Sequence, residues 1–513
     1  MNYPFWDTTL GYGVLMAVIA VVHVFVSHFA IGGGLYLVVA ERAARRRGDD
    51  DHLGFLRRLS RFFVLTTVVF GALTGVGIWF IIGLLNPAAT AVLIRNFVWG
   101  WAAEWCFFII EILAALLYYY GWDCLTPRRH LIIGWIYFGA AWLSLVIING
   151  IVTFMLTPGD WLATGRFWDG FFNPTYWSSL VLRTGICIML AGLCALAVAA
   201  RLPAPGARVR LVRYNAVWGL VGLAVVIPSL FWYVGDIPAD LMAAARQTMN
   251  IPFAALDLLY LLTAAIAALL AILGLLAPRA WRTEVAAVAL ALGLVWFGSY
   301  EWFREALRKP YVITGYMYAS GVEGARAADY RADGMLAHMA YRTGDEGADL
   351  FRRACRSCHS LENYNALKPF FDGADEEFIT AMVQGIGAMR GNMPPWTGTP
   401  EEARLLAAHL AARTDRRPFA EVCGLSGVDL GRRVYEVRCG SCHVLGGFND
   451  KTQSLAGLSE EEYRTLLDMS DDLGEEMPPF TGGEPERVAL IQFLQTLSAP
   501  AGTPAAATRG GAR

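Results

Sequence analysis

Residues 10–41 read LGYGVLMAVIAVVHVFVSHFAIGGGLYLVVAE, and no charged residue precedes Glu41 in this run. About 20 apolar residues are enough to cross the roughly 30 Å hydrocarbon core of a bilayer as a helix. The segment before the run lacks the basic region and A-x-A site of a signal peptide, so we expect an uncleaved span. Seven similar runs follow, which predicts spans at residues 10–41, 62–85, 96–120, 131–155, 177–200, 213–235, 252–277 and 284–303. We therefore predict an all-α protein in which residues 1–312 form an eight-span transmembrane helical bundle.

The composition agrees with a membrane protein that also has a polar C-terminal part. Of 513 residues, 56% are hydrophobic and 17% are charged, with a mean hydropathy of +0.43. These values lie outside the averages of soluble chains, and the charges concentrate after residue 300. The formal net charge of -2 indicates no particular partner, and we expect membrane lipid but no nucleic acid around this protein.

Arginines mark alternate loops between the predicted spans. Loops that are rich in Lys and Arg remain on the cytoplasmic side of a membrane. The loops after spans 2, 4 and 6 are poor in these residues, which predicts a bacterial inner membrane protein with both termini in the periplasm. The loops after spans 1, 3, 5 and 7 contain Arg42, Arg45, Arg46, Arg47, Arg57, Arg58, Arg61, Arg128, Arg129, Arg201, Arg208, Arg210, Arg279 and Arg282.

Two CxxCH motifs lie near the C-terminus, and each is followed at the same distance by a Met-Pro-Pro. The spacing from the motif His to the Met is 34 residues in both copies. Paired thiols three positions apart can form thioethers with the haem vinyls, while the adjacent His and the distant Met supply the two axial ligands. We predict two covalent haem c groups, held by Cys355, Cys358, His359 and Met393 and by Cys439, Cys442, His443 and Met477.

The alternative explanation for each CxxCH is a disulfide or half of a zinc site. Zinc would need further ligands, and the segment between the motifs offers only His409, which we expect on a helix surface, and Cys423. The order of helix, CxxCH, loop, Met and final helix resembles class I cytochrome c. We therefore predict tandem cytochrome c domains at 345–415 and 425–498, a linker at 313–344 and a disordered tail at 499–513.

Only two histidines lie deep in the predicted bundle, and both are on span 1. His23 and His28 are separated by about 7.5 Å of helical rise and about 140° of rotation, so they cannot bind one iron from the same side. Either each binds a different haem, or one is a ligand and the other a hydrogen-bonding or proton-transfer residue, or both are core imidazoles. The following Gly32, Gly33 and Gly34 would let a macrocycle or a helix approach closely.

Carboxylates inside the spans form the other candidate sites. Glu104 and Glu111 share one face of span 3, where they could carry protons, bind a metal or pair with Arg95 or Arg183. At the end of span 8, Glu301, Glu305 and Arg308 could form an ion-pair ladder. Alternatively, a carboxylate there binds haem iron while arginines hold haem propionates.

Several of these segments resemble subunit I of cytochrome bd quinol oxidases. The resemblance covers roughly residues 10–312 and is strongest over the first 150. No single motif carries it, but their order and spacing do. The segments are 22–41, Gly71–Val76, Glu111–Asp123, Ile148–Gly150 and the span-end motif Glu305-x-x-Arg308-x-Pro310.

The resemblance implies roles for individual residues. His23 matches the axial ligand of the oxygen-binding haem, and Glu305 matches the carboxylate ligand of a neighbouring high-spin haem b. Glu111 matches an acid of the proton path, Glu104 lies one position from a second such acid, and Arg308 matches an arginine of the span-end motif. One to three haems of b or d type are implied in the bundle.

Two departures from the family affect the expected function. Near Leu182-Arg183 this chain lacks the His that binds the low-spin haem b, and the outward quinol loop is reduced to Gly235–Pro252. The resemblance therefore does not extend to the loop of the family's quinol entry, and a quinone is kept as one alternative partner. Some relatives of the family carry C-terminal cytochrome c domains, and this chain is similar to them.

The sequence thus supports two classes of function. The first is a bd-like oxidoreductase that passes electrons from periplasmic electron-transfer proteins through the haem c groups to the bundle and reduces O2 or a related small oxidant. The second is a non-oxidase conduit between periplasmic cytochrome c and a quinone or partner subunit. The resemblance also implies a homo-oligomer or a second membrane subunit.

Overall fold

The computed structural model describes residue 8 and residues 10–248, 251–389, 391–473 and 477–498. These residues are predominantly helical, and the chain divides into two compact units. The membrane unit contains residues 12–246 and 250–324, and the second unit contains residues from Ala325 onward together with two short segments of the chain. The tail predicted at 499–513 lies outside the described residues.

The membrane unit is a bundle of long helices with short connecting helices. Two of its spans contain π-helical segments, Leu65–Gly71 and Leu270–Leu276, and one 3-10 turn covers Pro278–Ala280. A small antiparallel hairpin of β1 (Tyr311–Ile313) and β2 (Met317–Tyr318) follows the last span. The helices are α1 (Tyr12–Arg47), α2 (Asp50–Val64), α3 (Ala72–Leu85), α4 (Pro87–Asn96), α5 (Val98–Tyr120), α6 (Pro127–Phe154), α7 (Trp161–Thr164), α8 (Phe167–Phe171), α9 (Tyr176–Ala199), α10 (Pro205–Asp236), α11 (Ala239–Thr248), α12 (Ile251–Leu269) and α13 (Thr283–Leu307).

Among the residues that the structure describes, eight helical segments are long and apolar enough to cross a membrane, which confirms the eight predicted spans. Several extend beyond the predicted limits. α1 runs on to Arg47, and the second span begins at Asp50, where the Asp49 carboxylate accepts the His52 N–H at 3.0 Å as an N-cap. Hydropathy detects only the part of a helix that matches the hydrocarbon core, whereas arginines are good helix formers and continue the helix beyond it.

α9 is the most buried of the eight spans and lies at the centre of the bundle. α1 packs closely against it because Gly32 has no side chain. A Cβ atom at this position would lie 1.8 Å from the Cys187 carbonyl oxygen. The glycine therefore permits the approach of a helix, as small residues commonly do between membrane helices.

The second unit contains two similar helical domains in tandem. In each, the final helix begins after the loop that contains the predicted Met ligand. Short 3-10 turns cover Gly324–Arg326, Leu336–His338, Ile386–Ala388 and Ser470–Leu473, and a π turn covers Tyr435–Cys439. The helices are α14 (Ala327–Asp333), α15 (Glu346–Ala354), α16 (Lys368–Phe371), α17 (Glu376–Gln384), α18 (Pro400–Ala411), α19 (Phe419–Cys423), α20 (Gly427–Val434), α21 (Glu460–Asp468) and α22 (Glu484–Ser498).

The residues predicted as a linker are ordered in this structure. The hairpin belongs to the membrane unit, and α14 belongs to the second unit. The Glu402 carboxylate accepts the backbone N–H groups of Met335 and Leu336, both at 2.8 Å. Residues before the predicted start at 345 therefore belong to the first cytochrome c-like domain.

The expectation that His409 lies on a helix surface is wrong. Its side chain is buried because α18 packs against α15, which brings Phe351 beside the imidazole with 6.2 Å between the ring centroids. His409 Nδ1 also lies 3.5 Å from the Asp345 carboxylate. The imidazole is thus part of the packing between these helices.

Candidate haem sites

Each CxxCH motif forms a tight turn, so that its two cysteines and its histidine project from one short segment. The N–H of His359 donates to the Cys355 carbonyl at 2.9 Å, and the N–H of His443 donates to the Cys439 carbonyl at 2.8 Å. The first motif follows α15, and the second begins within the π turn after α20. The two copies therefore share local geometry as well as sequence.

The predicted axial histidines also share a hydrogen bond that fixes their tautomer. The Nδ1 atom of His359 lies 2.9 Å from the Asn365 carbonyl, and that of His443 lies 3.0 Å from the Asn449 carbonyl. A carbonyl only accepts, so Nδ1 carries the hydrogen and the lone pair is on Nε2. This is the arrangement that orients a histidine for iron.

Sequence reasoning did not identify these two asparagines. Both have a positive φ, 50° for Asn365 and 49° for Asn449, which asparagine tolerates better than most residues. Each stands six positions after its motif histidine. This equal spacing in the two repeats is the feature of the sequence that could have identified the two asparagines.

The predicted methionine ligands lie in loops that are anchored near their ends. After Met393, the Trp396 indole N–H donates to the Thr399 carbonyl at 3.2 Å, and Thr399 caps α18. After Met477, the Phe480 N–H donates to the Ser470 hydroxyl at 2.9 Å. Two thiols, a Nδ1-protonated imidazole and the thioether of the predicted methionine supply each domain with a set of donor groups that fits covalently bound haem c.

In the membrane unit, His23 lies on α1 against the start of α3. Its Nδ1 atom is 3.1 Å from the Thr74 hydroxyl oxygen. That hydroxyl donates its own hydrogen to the Phe70 or Gly71 carbonyl, at 2.9 and 3.0 Å, so it accepts a hydrogen from Nδ1. The lone pair of His23 is therefore on Nε2, which fits the predicted role as an iron ligand.

The backbone around Thr74 is shaped to receive the His23 ring. The π-helical segment Leu65–Gly71 ends three residues before Thr74, and such segments occur frequently at functional sites. A Cβ atom on Gly75 would lie 3.0 Å from His23 Cε1. The role of Thr74 and Gly75 in positioning the imidazole became apparent only from the packing of α3 on α1.

His28 has a different environment from His23. It is buried, and its Nδ1 atom lies 2.7 Å from the Val24 carbonyl. Its Nε2 atom lies 3.4 Å from an Arg183 amino group, and Phe297 packs edge-on against the ring. His28 thus has the hydrogen-bonding contacts of one predicted alternative, while its role as a second iron ligand remains a prediction.

Arg183 and Glu301 belong to one buried ion cluster. Arg183 approaches Glu301 Oε1 at 3.3 Å, and Arg304 donates to Oε2 at 2.7 Å. Arg304 also donates to the Val152 carbonyl at 3.0 Å. The Glu301 carboxylate thus joins α9 to α13, and the bond from Arg304 to the Val152 carbonyl joins α13 to α6.

The carboxylates on α5 do not form the ion pairs considered above. Glu104 accepts from the Ser144 hydroxyl at 3.1 Å, and Glu111 interacts electrostatically with Glu104 and Tyr137. Within the described residues neither pairs with Arg95 or Arg183, so the pairing alternative is wrong.

At the end of α13, the predicted ladder forms in part. Glu305 pairs with Arg308, and Lys309 Nζ lies 3.1 Å from Glu305 Oε1. Arg308 also donates to the Val312 carbonyl at 3.0 Å. Glu301 instead contacts Arg183 and Arg304, so the cluster has an inner and an outer carboxylate.

Fold and sequence motifs together define a multi-pass membrane protein joined to tandem cytochrome c domains. Residues 14–260 match the family model of cytochrome bd terminal oxidase subunit I. Residues 342–410 and 427–494 match the model of cytochrome c oxidase, cbb3-type, subunit III. A bd subunit I-like membrane domain followed by two cytochrome c domains is therefore confirmed, and haem cofactors are implied for both parts.

A solved structure supports the fold of the membrane domain. The bd oxidase from Geobacillus thermodenitrificans has a TM-score of 0.52 and 17% sequence identity, and the match covers 64% of this chain and 93% of that one. No curated protein gives a significant match to the sequence. The likeness to the solved oxidase concerns the fold alone.

Proposed function

We propose that this protein is a membrane oxidoreductase that takes electrons from periplasmic electron-transfer proteins through its two haem c groups. The electrons pass to one to three haems of b or d type in the bundle and reduce O2 or a related small oxidant. The observation that carries this proposal is His23: Thr74 holds its Nδ1–H, and Nε2 is left as a ligand beside Gly75. A haem bound there would supply the redox-active iron.

The chain's own residues have distinct tasks in this proposal. Asn365 and Asn449 orient the imidazoles of the two haem c sites through their carbonyl groups. Glu111 and Glu104 accept and pass protons along α5. Glu305 would hold a second haem iron in the bundle, and Arg308, which pairs with it here, would hold a haem propionate.

The proposed location is a bacterial inner membrane, with both termini and the cytochrome c domains in the periplasm. Support comes from the arginine-rich alternate loops and from the periplasmic attachment of c-type haem. Apolar side chains exposed on α3 and α5 would face lipid, a second membrane subunit or a second copy of this chain. A quinone remains an optional partner.

A non-oxidase conduit is the second candidate, and one observation favours it. Glu305 is engaged by Arg308 and Lys309 and is 47% exposed. A carboxylate engaged by two cations is not free to bind the high-spin haem b that the family resemblance implies, which favours an electron path without that haem.

Anaerobic reduced-plus-CO spectra of the purified protein separate the two candidates. The oxidoreductase requires a CO-reactive high-spin haem, whereas a conduit with six-coordinate irons gives no CO-induced change. His23→Ala should remove this signal and one membrane haem while both haem c groups remain. His52→Ala, in the same unit, serves as the control and should retain the full haem content.

A further inference from the structure

A buried cluster of four side chains lies at the arginine-rich end of the bundle, away from the haem ligands on α1 and α13. Glu41 and His130 have no exposed surface, and Tyr118 is almost fully buried. The Glu41 carboxylate accepts from Arg45 Nε at 2.6 Å and from the Tyr118 hydroxyl at 2.7 Å. His130 Nδ1 lies 2.9 Å from both carboxylate oxygens.

The hydrogen-bond donors and acceptors of this cluster show that it holds one proton more than a neutral His130 beside an ionised Glu41 would. His130 Nε2 lies 2.8 Å from the Tyr118 carbonyl, which only accepts, so Nε2 carries a hydrogen. Nδ1 faces a carboxylate at hydrogen-bond distance, and two lone pairs would repel each other there. In the arrangement seen here one proton therefore lies between His130 and Glu41, bound either to nitrogen or to oxygen.

The cluster also begins a row of polar side chains along the seam of α5 and α6. Tyr118, Glu111 and Glu104 lie seven residues apart on α5, and His130, Tyr137 and Ser144 lie seven apart on the antiparallel α6. Seven residues are nearly two turns, so each set shares one helix face with about 10.5 Å between members. The contacts of Tyr118 with His130 and of Glu104 with Ser144 show that the two rows face each other.

We propose that Glu41, His130 and Tyr118 form the proton-loading site of this protein. A proton leaves the Glu41–His130 pair and travels along the seam to Glu111 and then Glu104, with water molecules as carriers over each gap. The pair is reprotonated from the arginine-rich end. The step moves only protons and needs no other reactant. It rests on the proposed function in assuming that reduction of the bundle haems consumes protons.

Surrounding groups distinguish this site from an ordinary helix-end ion pair. Trp122 covers the His130 ring at 4.6 Å, and its indole N–H donates to Ser60 at 3.0 Å. Arg57 and Asp123 form an ion pair at the same end of the unit, but both side chains are more than half exposed. That exposed pair provides a matched control, because it has similar charges without a trapped proton.

The test measures proton uptake when the purified, haem-loaded protein is reduced chemically under anaerobic conditions in the presence of a pH-sensitive dye. Glu41→Gln keeps the size of the side chain but cannot hold the proton. We expect its uptake to slow at least tenfold with unchanged haem content, and a small weak acid such as formic acid to restore the rate. Asp123→Asn should behave like the wild-type protein.

Tyr118→Phe keeps the test decisive if Glu41→Gln does not assemble, since it removes only a hydroxyl group and should also slow uptake. Wild-type uptake rates in the variants would overturn the proposal, as would slow uptake that weak acid does not restore. The assay uses no oxidant. A wild-type protein that takes up protons but reduces no oxidant would refute the proposed oxidase and leave the proton-loading site intact.

Discussion

Arg183 places one amino group 3.3 Å from Glu301 Oε1 and the other 3.4 Å from His28 Nε2. Glu301 also binds Arg304, so one carboxylate is shared by two buried guanidinium groups. The three charges leave one net positive charge inside the bundle. Because uncompensated charge is costly in a membrane interior, this cluster should respond strongly and unequally to the loss of its members.

Glu301→Gln should destabilise the membrane unit more than Arg183→Met does. Loss of Arg183 leaves Glu301 paired with Arg304, whereas loss of Glu301 leaves two buried cations without an anion. Breaking a buried pair typically costs about 3–5 kcal/mol. The free energy of unfolding in detergent, followed by loss of helical signal, measures the difference. The control Asp123→Asn, in an exposed ion pair, should change the free energy of unfolding by less than about 1 kcal/mol. Equal losses of stability in Glu301→Gln and Arg183→Met would contradict the interpretation that the two arginines share one carboxylate.

Thr74→Val should weaken haem binding at His23 without altering the haem c groups. The valine has a similar shape but offers no acceptor for His23 Nδ1–H, so the imidazole is no longer held in the Nδ1-protonated tautomer. Loss of such a partner typically costs about 10–100-fold in metal affinity. Haem content per protein, measured from the pyridine haemochrome spectrum, reports the effect.

Two variants accompany this test. Thr74→Ser retains the hydroxyl group and should preserve the membrane haem. Ser229→Ala removes a hydroxyl whose bonds are confined to its own helix, to Val225 and Val226, and should also have no effect. Full haem content in Thr74→Val would show that Thr74 does not position His23.

The eight spans could be predicted from sequence because the requirement that creates them is local. Each membrane helix must satisfy its backbone hydrogen bonds internally and present an apolar surface, so its sequence alone carries the signal. The haem c motifs could also be predicted from sequence, because the two thiols and the histidine of each motif lie within five positions. The repeat of each motif with its distant methionine added confirmation from within the chain.

Contacts between distant residues could not be predicted in this way. Thr74 is 51 positions from His23, His130 is 89 from Glu41 and Glu301 is 118 from Arg183. Which of many polar residues meet depends on how the helices rotate and pack, and hydropathy contains no such information. His409 shows the same limit, because its burial depends on the approach of α15 to α18.

Arg438→Met should loosen the association of the two cytochrome c domains. Arg438 immediately precedes the second CxxCH and is buried; it donates to the Gly373 carbonyl of the first domain at 3.0 Å and lies over the Phe378 ring at 4.6 Å. A hydrogen bond from a charged group contributes about 1.5–3 kcal/mol. We expect the thermal transitions of the two domains to separate in the variant, as followed by calorimetry.

The matched control for Arg438 is Arg432→Met. Arg432 is exposed and lies over Phe493 of its own domain, 5.9 Å from the ring centroid. Within the described part of the chain it makes no contact of this kind with the first domain, so its loss should leave the relation between the two transitions unchanged. If the two thermal transitions respond in the same way to Arg438→Met and Arg432→Met, Arg438 does not connect the two domains.

Glu486→Gln should change how the stability of the second cytochrome c domain depends on pH. Glu486 is buried on α22, where Oε1 accepts the Phe419 N–H at 3.0 Å and Oε2 is without a hydrogen-bond partner among the described residues. Burial raises the pKa of this carboxyl, and the charge of Arg438 only partly opposes the effect. A raised pKa in the folded state favours the protonated form. The stabilising contribution of Glu486 is therefore complete below the unfolded pKa of about 4.3 and is lost as pH rises through the folded pKa.

Since glutamine cannot ionise, the Glu486→Gln variant should gain stability relative to the wild type as pH rises from about 4 to neutrality. Thermal unfolding followed at the haem c Soret band measures this difference. The control is Glu461→Gln, at an exposed position of α21, whose stability should depend on pH as that of the wild type does. If the stabilities of Glu486→Gln and the wild type run parallel over this pH range, the pKa of Glu486 does not differ between the folded and unfolded states.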